Sequence, residues 1–208
     1  MIPVETLSAF FAVVVLLALT PGPDNLFVLT QSAVSGRMAG IAVTFGLSTG
    51  VIAHTVAVAL GVAAIFQTSA LAFSILKYVG AAYLLYLAWG AFRAKAAPIG
   101  IGGGPKLSYG ALYRRGVIMN ITNPKVSIFF LSFLPQFVDP AVGPLIPQFL
   151  QLGFVFILCT ILVFGGIALL AGLIGEKFGK SASAQSILNK IAGTVFVGLA
   201  LKLATTTR

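Results

Sequence analysis

Charged residues and cysteine are scarce in this sequence. Of its 208 residues, 8% are charged and 59% are hydrophobic, whereas about 25% of the residues in an average soluble domain are charged. A water-soluble fold is excluded, because one core could not bury so much apolar surface. The single cysteine, Cys159, rules out an internal disulfide and a cysteine-based metal site. With one cysteine and one histidine, no catalytic or metal-ligating residue is expected and the chain is not predicted to be an enzyme.

Two long stretches contain no Lys, Arg, Asp or Glu. They cover residues 38–76 and 140–175, which are 39 and 36 residues long, and each is long enough for two membrane spans of roughly 20 residues. The alternation of polar and apolar residues that a membrane barrel needs is missing, so the spans are predicted to be helices. The expected fold is an all-α integral membrane protein with six spans, at about 7–31, 39–66, 70–92, 113–138, 147–174 and 187–204.

The predicted spans form one transmembrane domain, 1–208, made of two three-helix halves. The halves are 1–92 and 113–208, and a basic, glycine-rich loop at 93–112 joins them. Eight of the 13 basic residues fall in the loops after the first, third and fifth spans or, for Arg114 and Arg115, at the adjoining start of the fourth span. The positive-inside rule therefore places these loops in the cytoplasm and both termini outside.

An inverted repeat is predicted for the two halves, because an odd number of helices in each half reverses the second one. Pro21 and Pro124 interrupt the first span of each half, and they are 103 residues apart in a chain of 208. This spacing is close to half of the chain length. Duplication of a three-helix unit is therefore favoured.

The segment that interrupts the first span carries the most information. Proline inside a helix removes a backbone hydrogen bond and clashes with the preceding turn, so Thr20, Pro21, Gly22 and Pro23 are predicted to form a hinge. Asp24 follows and is the only acidic residue within a predicted span. A carboxylate in the membrane is unfavourable unless it is paired, hydrated or protonated. Binding of a substrate ammonium, carriage of a coupling proton and an interfacial position remain open for Asp24.

A second polar break lies in the fourth span. Asn120 and Asn123 are three residues apart and therefore share a helical face, and they are followed by Pro124, the second predicted hinge, and by Lys125. Lys125 has two candidate partners: the carboxylate of Asp24, or the carboxylate of a substrate.

Interrupted helices leave free amides and carbonyls near the middle of the bilayer, and transporters use such groups to bind substrates. The predicted substrate-binding residues are Asp24, Asn25, Asn120, Asn123 and Lys125. Asp24 and His54 are candidates for a proton relay, and a hydrogen-bonded packing role is the alternative for His54.

Glycines in two spans predict close helix approach. Gly46 and Gly50 are spaced as in a small-residue packing motif, and Gly165 and Gly166 are adjacent in the fifth span.

Four segments together resemble the LysE/RhtB family of amino-acid exporters. In order they are Thr20-Pro21-Gly22-Pro23, the third-span segment 83–89, Asn120-x-x-Asn123-Pro124-Lys125, and the fourth-span segment 133–137. Chain length, the six hydrophobic segments and the basic central loop agree as well, so the resemblance covers essentially the whole chain. At one position the chain departs from the family, because many members have an amide where this sequence has Asp24.

The resemblance implies export of amino acids or related metabolites from the bacterial cytoplasm, driven by the membrane potential or a proton gradient. The positions that match the family's motif are Pro21, Gly22, Pro23, Asn123, Pro124 and Lys125. The expected location is the inner membrane, and the expected partners are an amino-acid substrate and membrane lipid, with a homodimer left open; no nucleic acid and no cofactor are expected. The alternative is a divalent-metal or other cation exporter, which is disfavoured because hard cations need several oxygen ligands.

Overall fold

The computed structural model describes residues 2–20, 22–68, 70–94, 107–177 and 182–205. Within these ranges the regular secondary structure is entirely helical. The helices are α1 (Val4–Leu19), α2 (Pro23–Ser35), α3 (Arg37–Thr68), α4 (Ala70–Arg93), α5 (Tyr109–Thr122), α6 (Pro124–Ile128), α7 (Leu145–Lys177) and α8 (Ala182–Thr205). Helix α6 continues into a π-helical turn, Phe129–Phe133, and a 3-10 turn, Leu134–Phe137. Pro21 and most of the predicted central loop lie outside the described residues.

Helices α3 and α7 each contain an unbroken apolar stretch long enough to cross a membrane, 25 residues in Arg37–Gly61 and 27 in Leu145–Ala171. Helices α1 and α2 form a bent pair with an angle of 63°, and α5 forms another with the run Pro124–Phe137 at 49°. If each bent pair is one span, the described residues contain up to four candidate spans. Helices α4 and α8, with 24 residues each, occupy the positions of the predicted third and sixth spans.

Each bend is a helix end followed directly by a new helix start. Gly22 is extended (φ −170°, ψ 177°) and Pro23 is the first residue of α2. Asn123 is also extended, Pro124 is the first residue of α6, and the Asn123 side chain accepts a hydrogen bond from the Lys125 backbone N–H at 3.0 Å. Proline suits the first helical position because an N–H there has no acceptor within the helix. The prediction of two interrupted helices is therefore confirmed.

Two hydrophobic clusters form the interior, and they meet at the level of the breaks. Leu17 belongs to the larger cluster and its neighbour Ala18 to the smaller one. On α3 the boundary falls between Leu47 and Val51. A polar site at this level is consequently enclosed between two apolar layers, and many outward-facing hydrophobic side chains, such as Phe154 at 60% exposure, remain for contact with lipid.

Small residues allow α3 and α5 to approach closely. A Cβ on Gly116 would lie 2.5 Å from the backbone oxygen of Val43, and one on Gly50 would lie 2.6 Å from the Asn120 side chain. The close approach predicted for the second span is confirmed. The same prediction for Gly165 and Gly166 is wrong, because no described atom lies within 4 Å of a Cβ built there.

Alanine at Gly116 should destabilise the fold. The added methyl group meets backbone rather than a flexible side chain, so the helices must separate, and overpacking of this kind costs about 1–3 kcal/mol. Gly110 lies on the same helix with open space around it, which makes Gly110→Ala the matched control. In thermal unfolding of the purified protein, Gly116→Ala should lower Tm and Gly110→Ala should not; equal midpoints would contradict the packing described.

A polar site where two broken helices meet

The two helix breaks are in direct contact. The Asn123 side-chain amide donates a hydrogen bond of 2.8 Å to Oδ2 of Asp24, although the two residues are 99 positions apart. Asp24 is 3% exposed and Asn123 is 5% exposed. Asn123 also caps the start of α6 with its other side-chain atom, so its position is fixed at both ends. Asp24 is therefore held in the interior by the break of the opposite half.

Lys125 contacts the end of α1. Its Nζ donates to the backbone oxygens of Leu17 at 3.2 Å and of Thr20 at 3.3 Å. In an unbroken helix the Leu17 oxygen would accept from residue 21, which is a proline and has no N–H. A cation is also stabilised at the negative end of the helix dipole. Lys125 thus replaces hydrogen bonds that the first break removes.

The ion pair considered for Lys125 and Asp24 is not formed. In the part of the chain that the structure describes, no such pair within 4 Å joins them, and Asn123 bonds to the Asp24 carboxylate and to the backbone N–H of Lys125. Each group has other partners: the Lys125 ammonium donates to two backbone oxygens, and the Asn123 amide donates to one oxygen of the Asp24 carboxylate.

Asn25 completes the end of α1. Its side-chain nitrogen donates to the backbone oxygen of Ala18 at 2.6 Å. The carbonyl can only accept, so the contacting atom of Asn25 must be the amide nitrogen and the amide oxygen must point elsewhere. Three carbonyls of the last turn of α1 therefore have side-chain donors, supplied by Asn25 and Lys125.

At the second break, His54 donates a hydrogen bond to a backbone oxygen, as Lys125 and Asn25 do at the first. Its Nε2 lies 3.1 Å from the backbone oxygen of Asn120, which is four residues before Pro124 and so lacks that helical donor but accepts from the Asn123 backbone N–H at 3.1 Å. Because the carbonyl accepts, Nε2 carries the hydrogen. The imidazole ring also packs on Phe130, with 5.4 Å between ring centroids. The packing role considered for His54 is thus observed, and the relay role stays a prediction.

Four buried side-chain oxygens among the described residues have no hydrogen-bond partner. Three of them lie at the two breaks: Oδ1 of Asp24, Oδ1 of Asn25 and Oδ1 of Asn120; the fourth is Oε1 of Gln136. Buried polar atoms are normally hydrogen-bonded, since leaving one unpaired is unfavourable. All four atoms are acceptors, so each of these fully buried atoms needs a donor.

A cluster of phenylalanines closes the site on the side of the N-terminus. Phe10 and Phe137 pack edge to face with centroids 5.0 Å apart, and Phe129 packs on Phe133 at 5.1 Å and on Phe156 at 5.8 Å. These rings come from α1, α7 and the turns that follow α6. Phe133 and Phe137 belong to the segment 133–137 that carries the family resemblance, and only packing brings them together with Phe10, Phe129 and Phe156.

Most of the predicted binding residues are brought together, and the structure adds partners that were not predicted. Thr20, Gly22, Asp24, Asn25, Asn120, Asn123, Lys125 and His54 lie at the two breaks, and Pro23 and Pro124 begin the helices that follow. The backbone oxygens of Leu17, Ala18 and Asn120 were missed. The oxygens of Leu17 and Asn120 could have been found by counting four residues back from Pro21 and Pro124. Across the described ranges, no group of three or more His, Cys, Asp or Glu side chains could hold a metal ion.

Comparison with known proteins gives consistent results. A family described as "LysE type translocator" matches residues 15–207. The chain is 35% identical over 196 residues to a "Homoserine/homoserine lactone efflux protein" of Salmonella typhimurium, with 94% of each chain covered. It is 33% identical over 197 residues to an "Uncharacterized membrane protein" of Vibrio cholerae, with 95% of each covered. No solved structure matches the chain.

Proposed function

Because the chain belongs to the LysE type translocator family, we propose that this membrane protein is a secondary active exporter of homoserine-like amino acids and closely related metabolites. The observation that carries the proposal is the meeting of two broken helices around a buried carboxylate, Asp24, with unpartnered oxygens beside it. Two relatives of Salmonella origin are named for efflux of homoserine and its lactone. A small polar solute with an amino group fits both facts.

The proposed architecture has six spans in two inverted halves of three. The packing supports it: α3 contacts α7 and α4 contacts α8, so second helices meet each other and third helices meet each other. In addition, α1 and α2, the first span of the first half, pack on α7 of the second half, and α5, which begins the second half, packs on α3 of the first. A two-fold axis that interchanges the halves produces such reciprocal contacts. Exporters with inverted repeats place their substrate site where the two halves meet.

The caps of the two breaks support the same relation and define which residues correspond. Pro23 is the first residue of α2 and Pro124 is the first residue of α6. Asp24 and Lys125, which follow these prolines, are therefore equivalent residues of opposite charge. Pro23, rather than Pro21, is the counterpart of Pro124 by this criterion.

The proposed mechanism is alternating access around this site. The phenylalanine cluster separates the site from the side of the chain termini, and the smaller hydrophobic cluster separates it from the other side. Movement of one half against the other would open these layers in turn. The basic loops place the termini outside a bacterial inner membrane, so opening of the phenylalanine layer would release the substrate outward.

A transport assay in vesicles tests the proposal. Proteoliposomes that contain the purified chain and labelled homoserine should lose the label faster than vesicles without protein when a membrane potential or a proton gradient is applied. Efflux should saturate with internal homoserine. Release at the rate of protein-free vesicles, for homoserine and for a panel of other amino acids, would refute the proposed function.

Substitution of His54 separates its hydrogen bond from a proton relay. His54→Gln keeps a side-chain donor for the Asn120 oxygen but cannot carry a proton, whereas His54→Phe keeps the ring contact with Phe130 and loses the donor. If the hydrogen bond is the function, His54→Phe should be less stable by about 1 kcal/mol and His54→Gln should transport nearly normally. Loss of proton-driven efflux in both variants, with stability kept in His54→Gln, would instead identify a relay.

A further inference from the structure

We infer that Asp24 recognises a primary ammonium group of the substrate and that binding at this site does not require the substrate's carboxylate. The inference rests on the proposed function in taking the two breaks as the substrate site, and it specifies which part of a substrate is bound. It predicts that amino acids, their lactones, esters and amides bind, and that compounds with a blocked or missing amine do not.

The unpartnered oxygens carry this inference. Asp24 and Asn25 are consecutive residues in the first turn of α2, and Oδ1 of each is buried without a donor. Asp24 as a whole is 3% exposed. A primary ammonium brings three N–H donors and a positive charge, so it satisfies the free oxygen of Asp24 and balances the carboxylate. A carboxylate ligand brings further acceptors and would satisfy neither.

The orientation of these two oxygens is fixed by the other half of each side chain. Oδ2 of Asp24 accepts from Asn123 at 2.8 Å, and the amide nitrogen of Asn25 donates to the Ala18 oxygen at 2.6 Å. Rotation of either side chain would break an existing hydrogen bond inside the protein. The acceptors are therefore presented in advance, which lowers the cost of binding.

The cation at this site is already engaged. Two of the three donors of the Lys125 ammonium bind the Leu17 and Thr20 oxygens, so Lys125 has at most one N–H left for a substrate carboxylate. The Lys125 ammonium and the Asn25 amide oxygen both lie beside Gly22, because a Cβ there would be 3.3 Å from Nζ of Lys125 and 3.8 Å from Oδ1 of Asn25.

Ligand-induced stabilisation tests this inference without relying on transport. Purified full-length protein is heated with homoserine, homoserine lactone, N-acetylhomoserine lactone or γ-butyrolactone. The first two compounds share a free amine and differ in the carboxylate; the last two keep the lactone ring and lack a free amine. Near saturation, homoserine and its lactone should raise Tm by roughly 2–4 °C or more, and the other two should leave it unchanged.

Two variants assign the effect to the carboxylate. Asparagine at position 24 would direct an amide nitrogen either at the Asn123 nitrogen or at the incoming ammonium, so Asp24→Asn should lose the shift in Tm. Glu5→Gln removes an exposed carboxylate near the N-terminus and should keep it. The wild-type panel is decisive even if Asp24→Asn does not fold.

The possible outcomes separate this inference from the proposed function. Equal shifts with N-acetylhomoserine lactone or γ-butyrolactone, a shift with homoserine but none with its lactone, or no shift with any compound would each overturn the ammonium site. Stabilisation by amines together with no efflux from vesicles would overturn the exporter proposal and leave the ammonium site standing. Efflux of homoserine, together with equal stabilisation by N-acetylated and free amines, would overturn the ammonium site and leave the exporter proposal standing.

Discussion

Replacement of Lys125 by methionine should slow transport strongly and lower stability at the same time. Methionine fills a similar volume but leaves the Leu17 and Thr20 oxygens without their side-chain donor. An unsatisfied buried acceptor costs about 1–3 kcal/mol, so two of them put at risk a large part of the 5–15 kcal/mol that typically stabilises a folded domain. The end of α1 should fray, and the site beside it should lose its shape.

The measurement is efflux from vesicles combined with thermal unfolding of the purified variant. We expect efflux to fall by about tenfold or more, because raising the transport barrier by about 1.4 kcal/mol slows transport tenfold. Lys125→Arg keeps a cationic donor and should retain part of both properties. Lys190→Met removes an exposed lysine from α8 and serves as the control. Wild-type efflux by Lys125→Met would show that the contacts of Lys125 with α1 are not needed for transport.

Asparagine at Asp24 should also slow transport strongly, but for a different reason and with a different effect on stability. The Asn123 contact can survive, because the new side chain can still offer an oxygen to the Asn123 amide. The charge is lost, however, and an uncompensated Lys125 ammonium then remains in the interior. Charges within a membrane are tolerated when an opposite charge is near. We therefore expect efflux to fall by about tenfold or more, in proportion to the lost ammonium binding.

A double-mutant cycle separates the structural and functional contributions of the two charges. The variant with both Asp24→Asn and Lys125→Met carries neither charge. If the charges compensate each other, its free energy of unfolding should exceed the value expected from adding the two single losses, with a coupling of about 0.5–3 kcal/mol. Transport should stay strongly slowed, because the acceptor for the substrate is missing. Strict additivity would show that the two charges act independently.

Much of this molecule could be predicted from local sequence patterns. Long uncharged stretches predicted membrane helices, and the prolines at 21, 23 and 124 predicted interrupted ones; the boundaries of α3 and α7 agree with the predicted spans to within a few residues. The glycine pair of the second span also predicted close packing correctly. These patterns act over one or two helical turns, which is the range over which sequence alone constrains the backbone.

Other features depend on which helices meet. Nothing local distinguishes Gly46 and Gly50, which face α5, from Gly165 and Gly166, which face no described neighbour. The choice of Lys125 between the Asp24 carboxylate and the carbonyls of α1 was likewise decided by the distances after packing. Each alternative was chemically reasonable, so only the relative position of the two halves could select one.

The sequence by itself determined the class of protein, the positions of the two breaks and the inventory of polar groups that the membrane would not otherwise accept. A proline removes a hydrogen bond wherever the helix packs, so the freed carbonyl oxygens follow from the residue order alone. Tertiary structure decided which donors satisfy them, because Lys125 and Leu17 are 108 residues apart and His54 and Asn120 are 66 apart. It also decided which oxygens were left unpaired, and those atoms indicate what the site can bind.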